Sequence, residues 1–274
     1  MITYYISMSY YITTFCYGQK YSPIKDIWCN RINSKCKNSQ IVIFDNTNVL
    51  NNLSFQSNFP GYIWAIRFKH NLDLLLRSNK PIVMCDLDVI IEKDIQPIVD
   101  LPFDIIISTE IGGSKSYPKE CSSILGFGVC CGFMVLKLTS KKIMLDIFKN
   151  MESKKYNTYD DQVNLMNYIV NSDYVLSEEN IILDNRSYIN KIITIGDIKI
   201  CVLDFNIITR DPVLNDGQFG NHINIDNVGG VQNFIRYFYE DLENLPLTCR
   251  CGKAHLGDNN ICNHIGIRNN RKKV

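Results

Sequence analysis

Two aspartates two residues apart interrupt an otherwise apolar run, Pro81-Ile-Val-Met-Cys-Asp-Leu-Asp-Val-Ile-Ile91. Ionised carboxylates beside a hydrophobic core lose hydration worth several kcal/mol unless a partner neutralises them. Residues at i and i+2 of an extended segment project to the same side, so Asp86 and Asp88 can face one hard divalent cation. Such ions commonly bridge carboxylates to substrate phosphates. Asp86-Leu87-Asp88 therefore reads as a metal-diphosphate site.

Other residues with usable chemistry are spread along the chain. Asp160, Asp161 and Gln162 open a helical pattern, where the helix dipole favours negative charge with or without a function. Gly132 lies in Gly128-Val-Cys-Cys-Gly-Phe-Met-Val-Leu-Lys137 and permits close approach of backbone to a ligand. The cysteines before it fit core thiols. The four histidines compete to complete a metal site. His70 falls inside a helical pattern. Cys249, Cys251, His255, Cys262 and His264 supply five soft ligands near the C-terminus, enough for a tetrahedral zinc, but their spacing matches no standard finger.

Alternating strands and helices must position these groups. The sequence predicts a strand over Ile2–Met8, a helix over Ile24–Cys36, a strand over Gln40–Phe44, a helix over Gly61–Arg77 and a strand over Pro81–Cys85. Three β-α steps imply a mainly parallel sheet flanked by helices, with ligands at the carboxyl ends of its strands. Asp86 and Asp88 fall at such an end. Further strands are expected over Phe103–Ser108, within Gly126–Lys137, at Ile181 and over Lys199–Leu203. Ser140 is placed to cap a helix through Phe148, Tyr159–Ile169 has helical spacing, and so does the stretch from Val231 to Leu242. The expected organisation is one α/β domain over residues 1–245 and a Cys/His-containing basic tail over 246–274.

The chain has 274 residues, 46% of them hydrophobic, enough for a substantial core. With 29 Lys+Arg against 28 Asp+Glu, no net basic field points to nucleic acid or an anionic membrane. Small molecules or sugars are the expected partners. No stretch approaches the roughly 20 apolar residues of a membrane span, and the start lacks a signal-peptide pattern. The 11 cysteines, an odd number and often within apolar runs, fit reduced thiols. A cytoplasmic protein is expected.

Taken in order, the apolar strand with Asp86-x-Asp88, the segment Gly128–Lys137, the pair Asp161-Gln162 and a late histidine resemble the GT-A fold glycosyltransferases. The nearest likeness is to the nucleotide-diphospho-sugar transferase group with family-eight-like retaining enzymes, over roughly residues 1–243. The resemblance implies transfer of a sugar from a nucleoside-diphosphate donor, expected to be a UDP-sugar, with Mn2+ or Mg2+ held by Asp86 and Asp88. It implies His222 as third metal ligand, after the strand-loop Leu203-Asp-Phe-Asn206, although the Lys-Pro-Trp segment usual downstream is missing. It places Asp161 and Gln162 beside the reacting sugar, with retention of configuration. Arg67 and Lys69 would present cations to the nucleotide, Tyr10 and Tyr11 would meet its base, and Gly132 would approach the sugar. Cys130-Cys131 stands where such enzymes carry a sugar-recognising Asn, so this chain departs from them there. Two other readings stay open: a catalytically silent sugar-nucleotide-binding or structural protein, and a nucleotidyltransferase. The second expects a glycine-rich basic phosphate loop near the amino end, which this sequence lacks.

Overall fold

Side chains alternate across a strand, so a strand that is apolar at every position must be covered on both faces. In β3 (Ile82–Cys85), Val83 and Cys85 enter one core while Ile82 and Met84 enter another. Phe133 and Val135 of β6 (Gly128–Leu136) join the first core, Met134 and Leu136 the second. These strands pair antiparallel at the centre of an eight-stranded sheet. The structure is a computed structural model and describes residues 9–16, 21–45, 62–110, 117–209, 218–223, 225, 230–238, 247–248 and 254–255.

The sheet order is β2 (Ser39–Asp45), β1 (Tyr10–Cys16), β3, β6, β5 (Ile105–Glu110), β9 (Ile198–Val202), β8 (Arg186–Ile195) and β7 (Tyr174–Leu183). β6 and β8 run against all the other strands, so the sheet is mixed but mainly parallel, as the β-α alternation predicts. The first core lies under α1 (Ser22–Lys35), the single turn α3 (Gln96–Val99) and α7 (Val231–Phe238). The second lies under α2 (Tyr62–Ser78), α4 (Lys119–Leu125), α5 (Lys141–Glu152) and α6 (Asp161–Val170). Among the described residues no helix is long and apolar enough to cross a membrane, and no described cysteine forms a disulfide.

Several boundaries differ from expectation. The strand expected over Ile2–Met8 lies outside the described residues, and the first strand of the sheet is Tyr10–Cys16, fixed by parallel registers with β2 and β3 that no local pattern specifies. Ser140 does not cap α5. It ends a short 3-10 turn, and its hydroxyl donates to the Lys137 carbonyl at 2.7 Å. β8 had no counterpart in the sequence reading. It pairs with β7 across Asp184-Asn185, both with positive φ (48° and 61°), the backbone that a two-residue hairpin turn requires. Cys249, Cys251, Cys262 and His264 of the proposed zinc cluster lie outside the described residues.

A second, three-stranded sheet bears on the site: β10 (Ile208–Thr209), β11 (Gly220–His222) and β4 (Val89–Ile91). α1 fastens β4 by side chain to backbone. Trp28 Nε1 donates to the Val89 carbonyl at 3.2 Å and Arg31 Nε to the Ile91 carbonyl at 2.8 Å, while the Arg31 guanidinium pairs with Glu92. Trp28 is 1% exposed, so no water can replace its bond to β4. Trp28→Phe should cost about 1–3 kcal/mol in urea unfolding, from a buried hydrogen bond lost together with part of the ring volume. An unchanged unfolding midpoint would mean that α1 does not anchor β4.

Candidate metal centre

Backbone pairing sets the geometry here. Asp86 follows the last residue of β3, and its N–H donates to the Gly132 carbonyl at 2.8 Å. The Val89 N–H donates to the Asp86 carbonyl at 3.0 Å, which turns the chain into β4. β4 then pairs antiparallel with β11, with Val89 opposite His222, and the Ile223 N–H donates to the Asp88 carbonyl at 2.9 Å. This ladder brings together residues 134 positions apart in sequence (222 − 88). His222 Nε2 lies 3.2 Å from Asp88 Oδ1, and one ligand atom each from Asp86, Asp88 and His222 lies within 4.8 Å of the others.

Two carboxylate oxygens and an imidazole nitrogen suit a divalent cation such as Mn2+, and the oxygens suit Mg2+. Access fits a ligand as well. The side chains of Asp86 and Asp88 are 33% and 19% exposed, whereas His222 is buried beside Asp88. Burial raises the Asp86 pKa to about 6 against the opposing Arg67 guanidinium, with Asp88 also raising it. Burial alone would lower the His222 pKa, but Cys130 and Asp88, one at each ring nitrogen, hold it well above the ordinary histidine value.

Gly132 makes room for His222. A Cβ on Gly132 would stand 2.2 Å from His222 Cε1 and 2.7 Å from Nδ1, distances no side chain tolerates. The glycine expected to admit a sugar thus admits the imidazole. The β5–β6 ladder is irregular at the same place, since Ile107 faces Met134 but the next residue, Ser108, faces Cys130. Such irregularities re-aim side chains at sites.

Arg67 joins the end of β3 to α6. One end of its guanidinium pairs with Asp86 and the other with Asp161. Burial would lower the Arg67 pKa, and Asp161 and Asp86 outweigh it. α2 holds Arg67 through Asn71, one turn on, whose Nδ2 donates to the Arg67 carbonyl at 2.8 Å and whose Oδ1 accepts from Thr13 of β1. Asp161 is 4% exposed and also accepts the Gln162 N–H at 2.9 Å, so it faces Arg67 and its own helix rather than open space. Asp160, not Asp161, caps α6, accepting from the Val163 N–H at 2.9 Å. Both amide hydrogens of Gln162 are engaged, with Glu110 Oε2 at 2.9 Å and the Tyr117 carbonyl at 2.6 Å. Chemistry by Gln162 would therefore fall to its carbonyl oxygen.

Three expected binding residues are not drawn into this cluster. Lys69 pairs with Asp73 at 2.6 Å along α2, with 41% of its side chain exposed. Tyr10 is fully buried in the first core, its hydroxyl 3.4 Å from Asp94, because the strand expected before it begins at Tyr10 itself. Tyr11 packs against the second core, with Lys80 Nζ 5.7 Å from its ring centroid. Sequence reasoning missed Glu110 and the Cys130–His222 contact. Both depend on pairings across dozens of residues, and nothing local announces them.

No known protein family matches the sequence, and no curated protein does. Solved structures similar in chain path, each 12% identical, include a glycosyltransferase involved in glycosylation of the major capsid of PBCV-1 (TM-score 0.49, covering 78% of this chain and 92% of that one). Mouse xyloside xylosyltransferase 1 in its apo form has a TM-score of 0.47, covering 79% of this chain and 98% of that one. The galactosyltransferase LgtC with donor and acceptor sugar analogs has a TM-score of 0.46, covering 74% and 77%.

Removing Arg67 would leave Asp161 charged and unpaired in a buried place. Arg67→Met should lower stability by about 3–5 kcal/mol in urea denaturation. Adding Asp161→Asn should recover much of that loss, because it removes the stranded charge. A double variant no more stable than Arg67→Met would contradict the ion-pair account.

Proposed function

We propose that the chain is a metal-dependent glycosyltransferase of the GT-A fold, acting on a nucleoside-diphosphate sugar, with UDP-sugar the expected donor. The observation that carries this reading is the Asp86, Asp88 and His222 donor set at the carboxyl end of a central strand, open on its carboxylate side. Residues 1–245 would form the transferase domain and 246–274 an appended tail. Asp88 and His222, with Asp86, would hold Mn2+ or Mg2+, which when bound offsets the negative charge that grows on the diphosphate as the glycosidic bond breaks.

The protein's own groups do the rest. Asp86 binds on one side and meets Arg67 on the other, so the guanidinium keeps the carboxylate aimed. Asp161, held by Arg67, is a positioning residue for the start of α6 rather than a proton acceptor. Gln162, whose amide nitrogen is held by Glu110 and Tyr117, would use its carbonyl oxygen to stabilise the positive charge that develops at the anomeric carbon. A neutral amide in that place, in a likeness to the family-eight-like enzymes, supports retention.

The reading is tested by incubating UDP-sugars with Mn2+ or with a chelator and following UDP release. Turnover with Mn2+, its loss on chelation and its absence in Asp88→Ala are expected. UDP binding without turnover would favour a silent binding protein, and pyrophosphate release from a nucleoside triphosphate would favour a nucleotidyltransferase.

Gln162→Ala separates catalysis from binding. An interaction strengthened in the transition state should lower kcat by about tenfold or more while donor Kd stays nearly constant. Parallel losses in kcat and donor affinity would place Gln162 among the binding residues instead.

A further inference from the structure

Cys130-Cys131 is the sequence feature that this chemistry leaves without a role. Cys131 packs into the second core. Cys130 does something different, because its Sγ lies 3.2 Å from His222 Nδ1. We propose that Cys130 is a positioning residue for the metal centre, its sulfur accepting the Nδ1–H of His222 so that Nε2 is turned to the Asp86 and Asp88 carboxylates. This rests on reading Asp86, Asp88 and His222 as ligands of a divalent cation.

Three observations carry the proposal. An imidazole that gives one nitrogen to a metal keeps its hydrogen on the other, and that N–H needs an acceptor which fixes the tautomer and the ring plane. His222 is 5% exposed, so water is a poor acceptor there, and the sulfur stands at the nitrogen that faces away from the carboxylates. The sulfur is also rigidly mounted. Cys130 pairs with Ser108 in the β5–β6 ladder, and the Ser108 hydroxyl donates to the Cys130 carbonyl at 2.9 Å. Gly132, two residues on, closes the remaining freedom, since its bare Cα lets the ring lie against β6 where a Cβ would strike it. One strand therefore both admits the imidazole and orients it.

Mn2+ alone, titrated into the full chain and followed by electron paramagnetic resonance, tests this. Cys130→Ala and Cys130→Val, which lack an acceptor, should bind Mn2+ about 10- to 100-fold more weakly than wild type. Cys130→Ser, which keeps one, should restore most of the affinity, and Cys131→Ala should leave it unchanged. A merely structural role would not order the variants this way. Wild-type Mn2+ affinity in folded Cys130→Ala and Cys130→Val, with Asp88→Ala losing it, would overturn the proposal and leave the metal reading intact. Asp88→Ala binding Mn2+ as tightly as wild type would overturn both. Nitrogen NMR of His222 in the Mg2+-loaded wild type needs no variant: a hydrogen on Nδ1 with Nε2 bare supports the proposal, and a bare Nδ1 or a hydrogen on Nε2 overturns it.

Discussion

Carboxylates gathered at the buried end of a central sheet must be neutralised, and the site's architecture follows from how this chain does it. Asp86 and Asp88 stand at the turn from β3 into β4, and Asp161 opens α6. Arg67 offsets two of them, bridging Asp86 and Asp161 from the helix that covers the second core. Asp88 is left to His222. A buried ion pair is poor evidence of net stability, because desolvation consumes most of its Coulomb gain. Its value here is positional. Arg67 couples the end of β3 to the first turn of α6, so Asp86 of the candidate cation site and Asp161 are set by one side chain.

Backbone geometry supplies the rest of the precision. A two-carboxylate turn after a strand can be reached from many directions, yet His222 arrives from only one because β11 is zipped to β4 and α1 clamps β4 through Trp28 and Arg31. The missing side chain at residue 132 is then a requirement of the histidine. Side chains held by ladders and packed strands keep a site closer to its productive geometry than side chains carried on loops.

What could be read in the sequence, and what could not, divides along the range of the interactions. The β-α alternation, the continuously apolar strands β3 and β6 and the position of Asp86 and Asp88 at a strand end follow from local patterns, and the structure has them. His222 was reached only through a family likeness, since nothing between residues 88 and 222 advertises that β11 will lie beside β4. Tyr10 and Tyr11 lie within a strand rather than after one for a related reason: the registers with β2 and β3 that fix Tyr10–Cys16 are long-range pairings. Lys69 stood two residues from Arg67 in sequence, but two residues on a helix are about 200° apart, so only one of the two can face the site. The link from Cys130 to His222 had no local signal at all.

The most direct test is a crystal structure of the protein soaked with Mn2+ and UDP, with the metal located by its anomalous scattering. The account predicts one peak within coordination distance of carboxylate oxygens of Asp86 and Asp88 and of His222 Nε2, with the UDP diphosphate completing the shell. A peak that avoids these three side chains, or UDP bound elsewhere on the sheet with no metal beside it, would contradict it.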